Sequence, residues 1–395
     1  MGIFDVAASS LFVSAASQQA QMDNLAQRVL SGALESFVAK DYDQAITQFR
    51  RAVGLSPRSE TAINAFDYMA RAHLAKGDSQ AALVAYEQAV KIDPGRAETY
   101  VSQGNLLVSL ERLDQAVQSY EKAVSLDPSP ANRYSLGQAY LEAGRYAEAE
   151  GQFTRVREQE PGKPNGEYGL GLAYARQGRS QDAIAAFERA LAVQGDFSYA
   201  QVELGYVLTD SGERDRAREI VDALQPRASD LADTLSSYIF EKTPPEMVAV
   251  GTDSSFPRAS GPRTPLSALS AYLANPGDQQ TFSMVFQFSK PMDARSVENV
   301  MNWSITRSTD SGRADGYNFG MPLPATEISL VRFPVSVSYD ATFQTATVLF
   351  SIRQNDAGDG TLDPSHIKFA FGGKDATGLS MQALADEYTG FSGFA

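Results

Sequence analysis

The sequence predicts a two-part chain: an N-terminal α-solenoid of helix hairpins, then an antiparallel β-sandwich. Three observations carry that reading. Small residues recur at a near-constant interval through the first half, at Gly104, Gly137, Gly171 and Gly205. Composition turns over near Thr243, in EKTPPEMVAVGTDSSFPRASGPRTP, where proline, serine and glycine rise and the helical period ends. Beyond that point apolar and polar residues alternate, as Phe282, Met284, Phe286 and Phe288 do in TFSMVFQFSK. This is the pattern of half-buried strands.

The totals bound what such a chain can do. Its 395 residues leave room for two or three domains, and an apolar share of 43% supports real cores. The net charge of −14 speaks against binding the phosphate backbone of nucleic acid or anionic membranes, both of which need clustered Lys and Arg. There is no cysteine, so disulfides, thiolate nucleophiles and Cys-based metal sites are excluded. The two histidines, His73 and His366, fall in different segments, which speaks against a His-centred triad or a multi-His metal site. No cofactor is expected.

Residues 1–25 form an N-terminal segment with two open readings: a helix extending the solenoid, or an export and assembly segment. MGIFDVAASSLFVSAASQQAQ has no Lys or Arg before Arg28, and Asp5 and several serines interrupt its apolar run, so it does not read as a Sec signal. No apolar stretch is long enough to span a bilayer. The compartment stays open between the cytoplasm and export by a non-Sec route to the envelope or surface.

Residues 26–225 hold the repeat. RYSLGQAYLEAGRYAEAEGQF (Arg133–Phe153) places Gly137, Tyr140, Ala149 and Phe153 at offsets that recur elsewhere. Gly104, Ala116, Tyr120, Ala123 and Pro128 repeat them upstream, and Gly171, Tyr174, Ala183, Phe187 and Ala190 downstream. Earlier copies read Ala33, Ala45, Phe49, Ala52, Pro57 and Ala70, Ala82, Tyr86, Ala89, Pro94. A sixth reads Gly205, Ala217, Val221, Leu224. The step from Gly137 to Gly171 and on to Gly205 is 34 residues each, with small residues at positions 8 and 20 of each copy and at position 27 of most. This resembles the tetratricopeptide repeat family, in which each unit is two antiparallel helices. Small residues at Gly137 and Ala149 are expected to let the paired helices approach closely, while Tyr140 and Phe153 fill the space between units. Gly144 stands where the first helix stops, and the Asp-Pro pairs at 93–94 and 127–128 end second helices. No unit buries its apolar face alone, so stability comes from stacking. Residues 226–242 read as a capping helix with Leu231, Leu235, Tyr238 and Ile239 on one side.

The resemblance implies that fixed positions of each first helix line a concave groove. In this chain these are Asp67 and Arg71, Val101 and Asn105, Tyr134 and Gln138, Tyr168 and Arg176, and Tyr199 and Tyr206. Tyrosines with amides and a few charges suit an extended peptide. Chaperone-binding members clamp a C-terminal carboxylate with lysine and asparagine. Leu30 and Leu34 stand at those positions in the first unit, so that activity does not carry over.

Residues 243–280 read as a linker and irregular insertion, and 281–395 as the sandwich, its first strand placed near 246–250. Further strands are expected from Trp303 and in EISLVRFPVSVSYD, TATVLFSIR and HIKFAFGG. VFQFSKPMDARSVENVMNWSIT resembles bacterial immunoglobulin-like domains, which implies adhesive or spacer modules on exported proteins. In QNDAGDGTLDPSH, Asp356, Asp359 and Asp363 are calcium candidates. Aligning Gly360 with a calcium-loop glycine puts Ala357 at a ligand position and His366 at the bidentate one, so an Asp/Gly hairpin turn is the better account. GGKD at 372–375 lacks the spacing of a phosphate loop. Tyr388, Phe391 and Phe394 form either a terminal segment tucked onto the sandwich or an aromatic tail that engages a second copy.

No nucleophile with a base, phosphate loop or metal cluster stands out, so an enzyme is not expected. The leading expectation is a scaffold that binds a protein or peptide in the groove, with the sandwich as a second contact surface. The alternative is a self-associating structural subunit of an exported or envelope assembly.

Overall fold

The computed structural model describes residues 3–309, 314–383, 385–390 and 393–394. The chain divides into two compact units, Met1–Ser236 and Ser237–Ala395.

Among the described residues, thirteen helices lie between positions 3 and 242, almost all in the first unit: α1 (Ile3–Val38), α2 (Tyr42–Leu55), α3 (Glu60–Ala75), α4 (Ser79–Ile92), α5 (Ala97–Ser109), α6 (Leu113–Leu126), α7 (Pro130–Glu142), α8 (Tyr146–Gln159), α9 (Asn165–Arg176), α10 (Ser180–Val193), α11 (Ser198–Asp210), α12 (Arg214–Leu224) and α13 (Ser229–Lys242). Odd and even helices pair as hairpins. Residues 3–25 of the N-terminal segment are continuous with the first hairpin, because α1 runs unbroken for 36 residues.

Sequence sets the ends of these helices. Asp41, Ser59 and Asp78 cap α2, α3 and α4 by accepting from the backbone N–H of Gln44, Ala62 and Ala81. Arg145 and Arg179 open α8 and α10 without a side-chain cap. Their guanidinium groups instead lie 4.5 Å over the Tyr140 ring and 4.2 Å over the Tyr174 ring. Gly144 takes φ +72° at the turn between α7 and α8, a conformation that disfavours side chains. α4 and α6 stop at Ile92 and Leu126, before the two Asp-Pro pairs.

The repeated small residues do something different from what the spacing suggests. Gly137 makes room for an aromatic ring of its own hairpin rather than for a backbone: a Cβ there would lie 2.6 Å from the Phe153 ring. Gly104 faces Tyr120 and Gly171 faces Phe187 in the same way. The Phe153 ring also reaches the next hairpin, where a Cβ on Gly169 would meet it at 2.3 Å. One ring thus locks two units, and Phe49, Phe153 and Phe187 are fully buried. Gly205 differs, since Leu235 of α13 occupies the space beside it.

The second unit is an antiparallel β region. Its strands are β1 (Met247–Val250), β2 (Thr264–Pro265), β3 (Gln279–Phe288), β4 (Trp303–Arg307), β5 (Ser336–Asp340), β6 (Thr345–Arg353), β7 (Thr361–Leu362), β8 (Ile367–Phe371), β9 (Glu387–Thr389) and β10 (Gly393–Phe394). They form sheets ordered β1-β3-β6-β5 and β10-β9-β8-β4, with a small β2-β7 pair. Phe286 of β3 meets Trp303 of β4, Phe369 of β8 and Tyr388 of β9 at 5.6–5.7 Å, so both larger sheets contribute to one core. In the expected strand EISLVRFPVSVSYD only the end is strand. Ile328–Pro334 runs irregularly beside β4, whose Ile305 N–H donates to Arg332 O at 2.7 Å, and Pro334 cannot donate to a ladder. Of the aromatic carboxy end, Tyr388 is buried in the core and Phe394 pairs with it through the backbone of β10, while Phe391 lies outside the described residues.

Two buried polar clusters brace this unit. The Lys290 ammonium lies 2.7 Å from Asp375 and donates to the carbonyls of Phe240, Glu241 and Thr243. Hydrogen bonds from Lys290, Thr377 and the Leu379 N–H outweigh the effect of burial and hold the Asp375 carboxyl below its ordinary range. Asp363 binds His366 Nδ1 at 2.8 Å, the Ser365 hydroxyl at 2.9 Å and the Asn318 N–H at 2.8 Å.

Candidate functional site

The first helices α3, α5, α7, α9 and α11 carry the residues expected to line the groove, and these fall into two groups. On α3 and α5 much of the polarity is already engaged. Asp67 is half-buried, accepts from the Thr99 hydroxyl at 3.3 Å and lies 3.6 Å from the Arg96 guanidinium. Burial pushes its carboxyl up, while Arg96, Thr99 and Arg71 pull the other way. Arg71 is exposed and lies 5.2 Å over the Tyr68 ring. Asn105 is exposed and accepts from the hydroxyl of Tyr120, whose burial lifts its phenol to about 12. Val101 is half-buried.

The second group spans α7, α9 and α11. Tyr134 is half-buried, accepts from Gln138 Nε2 at 2.9 Å and meets Phe153 edge-on at 5.4 Å. Tyr168 is half-buried and packs 4.8 Å from Phe197 and 6.0 Å from Phe187. These two tyrosines therefore extend the scaffold's aromatic stack and present only part of each ring. Tyr199 is 65% exposed, Arg176 is exposed and Tyr206 is half-buried. Burial raises the phenols of Tyr134 and Tyr168, with Glu203, Tyr134 and Tyr199 adding to the effect at Tyr168.

Sequence reasoning missed Glu203. It lies one turn beyond Tyr199 and one before Tyr206, on the same face of α11. It is half-buried, and burial raises its carboxyl against the pull of Arg176. The signal was present as a carboxylate set between two expected groove tyrosines, but the family positions skip it.

Two recesses flank these groups. One of about 450 Å³ sits beside Tyr134 and is lined also by Ser129, Pro130, Val156, Lys163 and Asn165. The other, of about 580 Å³, is lined by Glu60, Asp93, Arg96, Glu98 and Asp127, so it is largely acidic.

The calcium candidates do not converge. Asp363 is 1% exposed and committed to His366, Ser365 and Asn318, whereas Asp359 is exposed and binds Asn355 Nδ2 at 2.8 Å. Asp356 is exposed in the same turn. Among the described residues no group of three His, Asp or Glu is placed to hold a metal ion, and no helix is long and apolar enough to cross a membrane.

Comparison with known proteins bears on the first unit. No curated protein matches the chain. Among solved structures, a tetratricopeptide repeat protein from Parabacteroides merdae is similar at 14% identity and TM-score 0.48, covering 54% of this chain and 85% of its own. PilF of Pseudomonas aeruginosa is similar at 16% identity and TM-score 0.42, covering 55% and 99%. MamA from Desulfovibrio magneticus RS-1 is similar at 20% identity and TM-score 0.38, covering 42% and 93%. A family model described as tetratricopeptide repeat matches residues 69–132, 101–164, 134–192 and 168–232, which supports reading the hairpins of this stretch as tetratricopeptide repeats.

Proposed function

We propose that this chain is a non-catalytic protein-interaction scaffold that holds a partner polypeptide along the face formed by its first helices. The β region, read as an immunoglobulin-like sandwich, adds a second contact surface. One observation carries the reading. The repeated scaffold positions are buried, whereas the neighbouring positions on α3 through α11 leave Arg71, Asn105, Arg176 and Tyr199 exposed and Tyr134, Gln138 and Tyr168 half-exposed. Side chains that vary from unit to unit on a constant frame suit the recognition of a sequence. Tyrosine contributes area at low entropy cost, and the amides can pair with an extended backbone. The acid excess favours a partner other than nucleic acid.

The test is affinity capture from cells that express the chain, using full-length protein beside Tyr168→Ala and Tyr134→Ala variants of unchanged circular dichroism. A partner retained by the wild type and lost by both variants supports the groove. Equal retention by all three removes it.

A further inference from the structure

Between α9 and α11 the groove holds a carboxylate without a matching cation. Glu203 is half-buried and, among the described residues, makes no hydrogen bond and no ion pair within 4.0 Å. The nearest cationic influence on it is Arg176, whose exposed guanidinium stays beyond ion-pair distance. Tyr199 and Tyr206 stand one turn to either side of it on its own helix, and its charge bears on the Tyr168 phenol of α9, a ring backed by Phe197 at 4.8 Å. A partly desolvated carboxylate is destabilising until a cation meets it. Aromatic faces beside a carboxylate suit that cation a second time, through attraction to the ring quadrupole. The net charge of −14 draws cationic segments toward the chain at long range.

We infer that Glu203, with Tyr168 and Tyr199 in its neighbourhood, is a specificity anchor for a lysine or arginine side chain of an extended partner segment. This rests on the groove reading above and adds the chemistry of the occupant. The cation enters between α9 and α11, pairs with the Glu203 carboxylate and lies against the Tyr199 ring, whose 65% exposure leaves its face open. Arg176 confines the position to one partner cation, because a second would meet its positive charge.

The experiment is selection of a phage-displayed random dodecapeptide library on the immobilised full chain, followed by affinity measurement on synthetic copies of the enriched peptides. The expected result is a Lys or Arg recurring at one peptide position. Replacing that residue with Gln weakens binding about tenfold or more, and Glu203→Gln weakens the parent peptide equally. The two losses do not add when combined, as a direct contact requires. Peptides lost on Tyr168→Ala, but with no recurrent basic residue or with unchanged affinity for Glu203→Gln, overturn the anchor and leave the groove standing. Enrichment of acidic residues that is abolished by Arg176→Gln also overturns it. If no enriched peptide depends on Tyr134 or Tyr168, the groove reading fails and the anchor falls with it. Glu203→Gln is isosteric, and its circular dichroism and melting temperature verify the fold.

Discussion

Two glycine-to-alanine substitutions of equal chemistry, Gly137→Ala and Gly151→Ala, placed symmetrically about the turn at Gly144, should have unequal effects, only the second of them raising stability. Gly151 lies on the exposed face of α8, with nothing within 4 Å of an added methyl group. Gly151→Ala therefore recovers helix propensity alone, worth about 0.8–1.0 kcal/mol. Gly137 lies inside α7 and gains the same propensity, but its new Cβ would sit 2.6 Å and 2.7 Å from two carbons of the Phe153 ring. Comfortable carbon contacts begin near about 3.5 Å, so roughly 1 Å must be found. The ring cannot easily supply it, because Gly169 of the next hairpin closes on its other side. Overpacking of this kind costs about 1–3 kcal/mol, so Gly137→Ala should be neutral to about 2 kcal/mol destabilising. The assay is urea unfolding followed by helical circular dichroism at about 222 nm, comparing midpoints because repeat arrays need not unfold in one step. The expected order of midpoints is Gly151→Ala, wild type, Gly137→Ala. If both variants rise together, Phe153 is not wedged between hairpins and the account of the small residues is wrong.

The remaining predictions use other contacts. Lys290→Met strands the buried Asp375 carboxylate and should destabilise the β region by about 3–5 kcal/mol, which Trp303, the sole tryptophan and fully buried, reports by fluorescence. The wild-type pair should also show a pH dependence. The folded Asp375 carboxyl titrates below its unfolded value of about 3.9, so its stabilisation is complete above that pH and is lost as pH falls through the folded value. An acid midpoint that Lys290→Met leaves unmoved contradicts this. Glu203 has the opposite sign: its raised carboxyl favours the protonated folded state, so stability falls as pH rises through and above about 4.3. Glu203→Gln should raise the melting temperature at about pH 7 and change it little at about pH 3, and an equal rise at both removes the electrostatic cause. Light scattering on size-exclusion fractions should show a monomer or small oligomer, whereas filaments favour the self-assembling alternative.

The periodic part of the fold was legible because it depends on residue size at fixed intervals. Gly137, Phe153 and their counterparts announce hairpins without any knowledge of neighbours, and the Asp-Pro pairs announce where second helices stop. The β region was legible from alternation in β3 and β6 but not just before β5, where the apolar run Ile328–Val335 reads as strand and folds as a loop. There the deciding contact is Arg332 with Ile305, made across the unit. The candidate site was readable as a set of positions and not as a set of available groups. Asn105 accepts from Tyr120 fifteen residues away, and Asp67 is bound by Thr99 thirty-two residues away. The first engagement closes within one hairpin and the second joins one hairpin to the next, and the repeat pattern implies both neighbourhoods without specifying which polar groups meet there.

Departures from the period are where this chain becomes particular. In five units the small residue at the eighth position is followed sixteen residues later by an aromatic ring, from Ala33 with Phe49 to Gly171 with Phe187. In the sixth, Val221 stands at the ring position, and a Cβ on Gly205 would meet Leu235 of α13 at 2.4 Å. The last hairpin thus takes its filling residue from the capping helix instead of from its own second helix. That change closes the solenoid's apolar end, because the terminal unit has no following hairpin to bury it. It occurs on α11, the helix that also carries Tyr199, Glu203 and Tyr206. Larger side chains at position 205 should therefore loosen the cap and perturb these three residues together, with faster amide hydrogen exchange in both α11 and α13. The equivalent change at position 137 should disturb only Phe153 and its neighbours. The same glycine in the same register has a different consequence because its partner comes from a different part of the chain.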